Sequence, residues 1–93
     1  MRRYELTVIF PVEEDQHKIG REQLLSDLSA HGVEIEKTDE MGDRVLAYEF
    51  KKRKHGKHVL LIIKADPAKI TVLDRSFKLN ANLLKFLFVR IEE

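Results

Sequence analysis

The alternation of apolar and polar positions is clearest at the start of the chain. Tyr4, Leu6, Val8 and Phe10 interleave with Arg3, Glu5, Thr7 and Ile9, the two-residue period of a strand with one strongly apolar face. Pro11 and the acidic run Glu13, Glu14 and Asp15 stop it, and Asp15 is placed to cap a helix at its positive dipole end. That helix runs to about His31 on a thin apolar set, Ile19, Leu24, Leu25 and Leu28. Gly20 weakens its first turn, and Gly32 follows where a positive φ is needed. Val33 and Ile35 then open a strand on odd positions, whereas Leu46, Tyr48 and Phe50 continue it on even ones. A bulge at Gly42 accounts for the change of parity. Beyond the octet Lys51 to His58, which reads as the basic loop of a β-hairpin, Val59 to Ile63 are apolar on both parities, as in a strand covered on both faces.

Asp66 followed by Pro67 signals a second helix, since the carboxylate can accept from orphan N–H groups and proline suits the first helical position. Ile70, Leu73 and Phe77 recur on one helical face, and the helix should close near Asn80 to Asn82. Leu83 to Ile91 is a fourth strand with Phe86 and Phe88 on one parity and Leu87, Val89 and Ile91 on the other. It reads as internal in the sheet or covered on both sides. The order β, α, β, β, α, β with right-handed crossovers predicts an α+β fold: a ferredoxin-like four-stranded antiparallel sheet with two helices on one face. Helices cover one side only, so an apolar patch should stay open on the other. Such a patch commonly marks a protein partner, and Leu60 and Ile62 are its candidates for partner contact.

The 93 residues suit one domain, 1–93. Without cysteine there is no disulfide framework, thiol catalysis or thiolate metal site. Apolar runs are too short for a membrane span, and the start MRRYEL is too polar for a secretory signal, which predicts a soluble, cytoplasmic protein. The net charge of +1 hides a segregation of the two signs. Acids cluster at Glu13 to Asp15 and again at Glu34, Glu36, Asp39, Glu40 and Asp43. Bases gather at Arg2 and Arg3, at Lys51, Lys52, Arg53, Lys54 and Lys57, and along Lys78, Lys85 and Arg90. A lone charged run is often solvated surface, but several basic clusters in one small fold point to a polyanion partner.

Catalysis finds little support. His17, His31, His55 and His58 are scattered, and no carboxylate or thiol stands near His55 and His58 in sequence to complete a metal site. Ser26, Ser29 and Ser76 lie on helices without a strained-turn motif, and the four glycines stand singly. An acyl-phosphate hydrolase of this topology would need an anion cradle after the first strand, where this chain has the acidic PVEED. A small-molecule-sensing regulatory domain of the same topology is the alternative, since such sites often lack a short motif. RNA recognition by base stacking would need aromatics on the third strand, but HGKHVLLII has none. RNA contact would then come from basic loops and edges and be dominated by phosphates.

MRRYEL at the start, GVEIEKTDEMGDRVLAYEF, HGKHVLLIIKADP and LDRSFKLNANLLKFLFVRIEE together resemble the bacterial small-ribosomal-subunit protein S-six family over essentially the whole chain. The resemblance implies a ferredoxin-like domain in the platform of the small subunit, contacting the central domain of the small-subunit ribosomal RNA. It also implies pairing with the small basic ribosomal protein S-eighteen, and no cofactor. Family RNA-contacting positions match Lys78 and Lys85, while the next basic position is Asn80 here, which removes one phosphate contact. Arg2, Arg3 and Arg90 are added as phosphate-contact candidates. The structural alternative for Arg3 and Arg90 is a cross-strand salt bridge with a glutamate. The basic stretch Lys51 to His58 exceeds that of many relatives, so RNA or partner contact there does not carry over from the family.

Overall fold

Where the alternation is cleanest, strand β1 (Arg2–Phe10) forms, and its even-numbered side chains Tyr4, Leu6, Val8 and Phe10 are all buried. The computed structural model describes residues 1–50 and 52–92, with residues 47–50 described by their backbone alone. Helix α1 (Glu14–Ala30), strands β2 (Glu34–Phe50) and β3 (Arg53–Ala65), helix α2 (Pro67–Lys78) and strand β4 (Lys85–Arg90) follow in chain order. The strands make one antiparallel sheet in the order β2-β3-β1-β4. This is the expected ferredoxin-like arrangement, because the two central strands are the ones separated in sequence by α1 and β2. Leu24 and Leu28 of α1 and Leu73 and Phe77 of α2 close over Val59, Leu61, Ile63 and Ala65 of β3 and the even residues of β1 in one core.

Strand β4 lies at an edge of the sheet, not inside it. Its two apolar parities have different destinations. Phe86 and Phe88 turn toward the helices, where Phe88 stacks on Phe77 with centroids 5.7 Å apart and Phe86 meets Phe77 edge-on at 5.3 Å. Leu87 and Val89 stand on the open face, 56% and 46% exposed.

Helix α1 starts two residues earlier than expected. Glu13 is its N-cap residue and makes no side-chain capping bond, while Asp15 sits in the first turn. A carboxylate is favoured anywhere in that turn by the helix dipole, so the sequence signal marks a turn and not one position. Ile19 points outward. Gly20 is buried instead, because α1 there touches the turn after α2: a Cβ on Gly20 would lie 2.9 Å from the carbonyl carbon of Asn82. The helix ends as expected on Gly32, at φ 68°, with the Gly32 and Val33 amides donating to Ser29 and Leu28. Asp66 caps α2 by accepting from the Ala68 amide at 2.9 Å.

Strand β2 shifts register against β3 three times where one bulge was expected, the third time between Val45 and Phe50. Glu36 and Met41 are each extra against β3, and Gly42 takes φ 78° at the second. These two shifts cancel. Ile35, opposite Ile63, therefore faces the helices, and Leu46 lies on the open face beside Ile9 and Gly56. Tyr48 and Phe50 belong to the strand, but their side chains lie outside the described residues.

The basic octet is not a loop. From Arg53 onward it is the first half of β3, which pairs with β2 as far as Phe50 opposite Arg53. Strand β1 reaches only Lys57, so the hairpin runs on past it as a two-stranded ribbon. Past the end of β1 the exposed Lys54 and His55 stand between partly covered Arg53 and buried Gly56, so charged side chains are compatible with strand there even though they hide its period.

Candidate nucleic-acid and protein interface

The sheet positions the candidate cations at separate ends. Lys85 pairs with Ile9 and Arg90 with Tyr4, which puts these two residues of β4 about 17 Å apart at roughly 3.4 Å per residue. At the first end, Lys78 and Lys85 line one open groove between the close of α2 and the start of β4, floored by Phe77, Leu84 and Phe86. Lys78 shares its charge with Asp74, one helical turn back, at 2.9 Å. Lys85 is exposed and makes no ion pair with a described residue.

At the other end Arg2, Arg3 and Arg90 meet around one depression together with Lys64, which sequence reasoning passed over. Its basic character is visible in the sequence only once β3 is known to run antiparallel beside β1, setting Lys64 opposite Arg3. The Arg3 guanidinium bonds Glu36 at 2.8 Å, so the cross-strand bridge weighed for Arg3 forms, reaching over β3 to the first bulge of β2.

Asn80, at the position where the resemblance implies a base, is buried. Its Nδ2 donates to the Gly20 carbonyl at 3.0 Å and its Oδ1 accepts from the Asn82 amide at 3.0 Å. The residue fastens the turn after α2 to α1, a role in which a long charged side chain would not fit.

Lys52 stands in the hairpin turn at φ 63°, and Lys54 and His55 are exposed on the ribbon. Lys51 lies outside the described residues. Arg53 turns inward and bonds Glu13 through both carboxylate oxygens, at 2.6 and 2.9 Å, and Gln16 at 3.1 Å. The Glu13 carboxyl is held below its ordinary range, first by a hydrogen bond from the backbone and then by Arg53. Lys57, opposite Asp43, lies near enough to His17 to act on its charge.

His17 packs on Phe10 with centroids 5.1 Å apart, and its buried Nε2 has no hydrogen-bond partner among the described residues. Burial, followed by Lys57 and Arg21, lowers its pKa against the opposing pull of Glu40 and Asp43. The folded protein therefore takes up this proton less readily than the unfolded chain. Stability should be complete above the ordinary imidazole value near 6.5 and fall as pH drops from there through the lowered one. Thermal melts between about pH 7 and 5 should show this slope and lose it in His17→Gln; a slope that survives the substitution belongs to another group.

On the open face Leu60 and Ile62 are half-buried. Thr7 lies between Leu60 and Leu87, and Glu5 between Ile62 and Val89. Leu87 and Val89 thus extend the apolar patch to the β4 edge, and Ile9 and Leu46 extend it along the sheet. Apolar residues on both parities of β3 and β4 point to this patch in the sequence, although only Leu60 and Ile62 are singled out there. Among the described residues no Phe or Tyr side chain lies on this face. No described helix is long and apolar enough to cross a membrane.

Comparison with known proteins agrees with this geometry. Residues 3–90 match the family model described as ribosomal protein S6. The chain is 52% identical to small ribosomal subunit protein bS6 of Treponema denticola over 93 residues, covering all of both chains. It is 41% identical to bS6 of Halalkalibacterium halodurans over 95 residues, again covering all of both. The crystal structure of 30S ribosomal protein S6 from Thermotoga maritima superposes with a TM-score of 0.85 at 22% identity, over 97% of this chain and 87% of that one. The P2 domain of the chemotaxis kinase CheA from a thermophile, Thermotoga maritima, reaches a TM-score of 0.67 at 13% identity over 97% of this chain and 98% of that one. The fold by itself therefore does not select a function. Sequence likeness over the whole length does: the chain belongs to the ribosomal protein S6 family, with a structural place in the small subunit of the cytoplasmic ribosome.

Proposed function

We propose that the chain, acting as one ferredoxin-like domain, binds the central domain of the small-subunit ribosomal RNA together with ribosomal protein S-eighteen, in a structural and not a catalytic role. One observation carries this reading: the surface divides into an open sheet face that is apolar at its centre and cations at the sheet's ends and edges. A sheet face without described aromatic rings offers no platform for stacked bases, whereas cations at the rims suit phosphates, which fix register without reading sequence. The acids of β2 on that side, Glu34, Glu36 and Asp39, border the apolar centre and complement a basic protein.

With a net charge of only +1 the chain has little non-specific attraction for RNA, so tight binding should need the partner. Titration onto a central-domain RNA fragment, with and without S-eighteen, at two salt concentrations tests this. Tight binding is expected only with S-eighteen. Lys85→Ala should then lower the salt slope by about one, as loss of one neutralised phosphate requires. No binding in either case, from a folded protein, overturns the reading; an unchanged slope removes Lys85 from the interface.

A further inference from the structure

The β2–β3 ribbon extends past the end of β1, and a two-stranded ribbon alone is marginally stable in water. Something must set its direction. Two contacts tie the hairpin arms to α1: Arg53 to Glu13 and Gln16, and Arg21 to Glu40. The first joins residues 40 apart in sequence: one guanidinium nitrogen, Nη1, donates toward both oxygens of the Glu13 carboxylate while Nη2 donates to Gln16, so two side chains of the α1 start hold one arginine. Because side chains alternate along a strand, the parity that turns Arg53 toward α1 puts Lys54 on the same side as Gly56 and His58, continuing the open face. Arg44, opposite Gly56, shares that side, and Lys52 stands in the turn. No described acid pairs with Arg44, Lys52 or Lys54.

We propose that Arg53, through Glu13 and Gln16, is a positioning residue that fixes the ribbon against α1 and so presents Arg44, Lys52 and Lys54 to an RNA phosphate backbone. The inference rests on the RNA-binding reading above and adds to it a contact that family resemblance does not supply. Net positive charge without a described carboxylate on the presented side favours a polyanion over a protein partner. Arg53 itself is turned away from the presented side and is not expected to touch phosphate.

The same titration, with S-eighteen present, separates these roles. Lys54→Ala should lower the salt slope by about one. Glu13→Gln makes the protein more positive by one charge, so bulk electrostatics alone would tighten RNA binding. The positioning role has the opposite sign: a roughly two- to fivefold loss, the range open to one exposed ion pair, at unchanged salt slope. Arg53→Ala should match Glu13→Gln in size and also leave the slope unchanged. Hydrogen exchange of the ribbon amides should quicken in both variants while the β1 amides keep their protection, which also shows that the variants fold. Tighter binding by Glu13→Gln, or a slope reduced by one in Arg53→Ala, overturns the positioning role. Wild-type binding and slope in Lys54→Ala overturn the ribbon contact, provided Lys85→Ala still loses its unit of slope. If wild-type protein binds no RNA even with S-eighteen, the broader reading has failed and takes this one with it.

Discussion

Gly20→Ala is expected to destabilise the protein by about 3 kcal/mol, toward the upper end for overpacking, with a fall in Tm of more than roughly 10 °C for a domain of this size. The opposite would hold at a solvent-facing helical glycine, where alanine gains about 1 kcal/mol in helix propensity. Here the added carbon would meet backbone, at 2.9 Å from the Asn82 carbonyl carbon, and that backbone cannot easily retreat. Asn80 ties it to the Gly20 carbonyl and to the Asn82 amide, the Leu83 amide donates to the Asn80 carbonyl, and the Leu84 amide donates to Ile9. Moving the turn would strain four hydrogen bonds at once. Urea unfolding with an unchanged m-value reads the loss as native-state strain. A rise in Tm on Gly20→Ala would show that the turn yields, and that the contact is not what keeps glycine there.

Leu87→Asp is expected to weaken binding to S-eighteen by about 30-fold, the loss of one interface hot spot, while changing stability by less than about 0.5 kcal/mol, as befits an exposed site. Leu87 is 56% exposed on the open face, and Thr7 separates it from Leu60. Ile19, also 56% exposed but on α1, supplies the control: Ile19→Asp should bind as wild type. The half-buried Ile62 is a less clean probe, since Ile62→Asp disturbs packing and binding together. Wild-type affinity in Leu87→Asp would confine any protein contact to another part of the surface. Equal losses in Leu87→Asp and Ile19→Asp would mark a charge effect with no preferred face.

The element order and the sheet's buried side were legible in the sequence because they rest on period and on caps. Alternation in β1, Asp66 with Pro67 and the residue after α1 each carry a local signal. Strand β4 was misplaced because apolar residues on both parities describe two situations alike: a strand between layers, and an edge strand with one face on the core and the other open. The basic octet hid its strand character because its inward position is filled by an arginine paired with Glu13 and Gln16 and its outward positions are charged, so no apolar period remains. Glu36, the first bulge, has no glycine to announce it, so the apolar positions of β2 were assigned to one face when they occupy two. For the interface, the cations themselves were legible, but their assignment was not. Arg53 looks like an RNA ligand in sequence and is held by Glu13 and Gln16 in the fold, and Lys64 became visible only through register.

The bulged second strand has a consequence for the time before assembly. Strand β2 is 17 residues long and forms an outer edge of the sheet, and an edge of that length, if flat, is a template on which a second chain can add its own strand. Bulges at Glu36 and Met41 break its outward backbone pattern into short stretches, and the surrounding carboxylates resist a like-charged copy. The β2 edge is therefore a poor template for a second copy of the chain. Deleting Glu36 and Met41 together would keep the inward-facing register of the strand's ends while straightening the edge, turning a shelf-stable subunit into one prone to fibres.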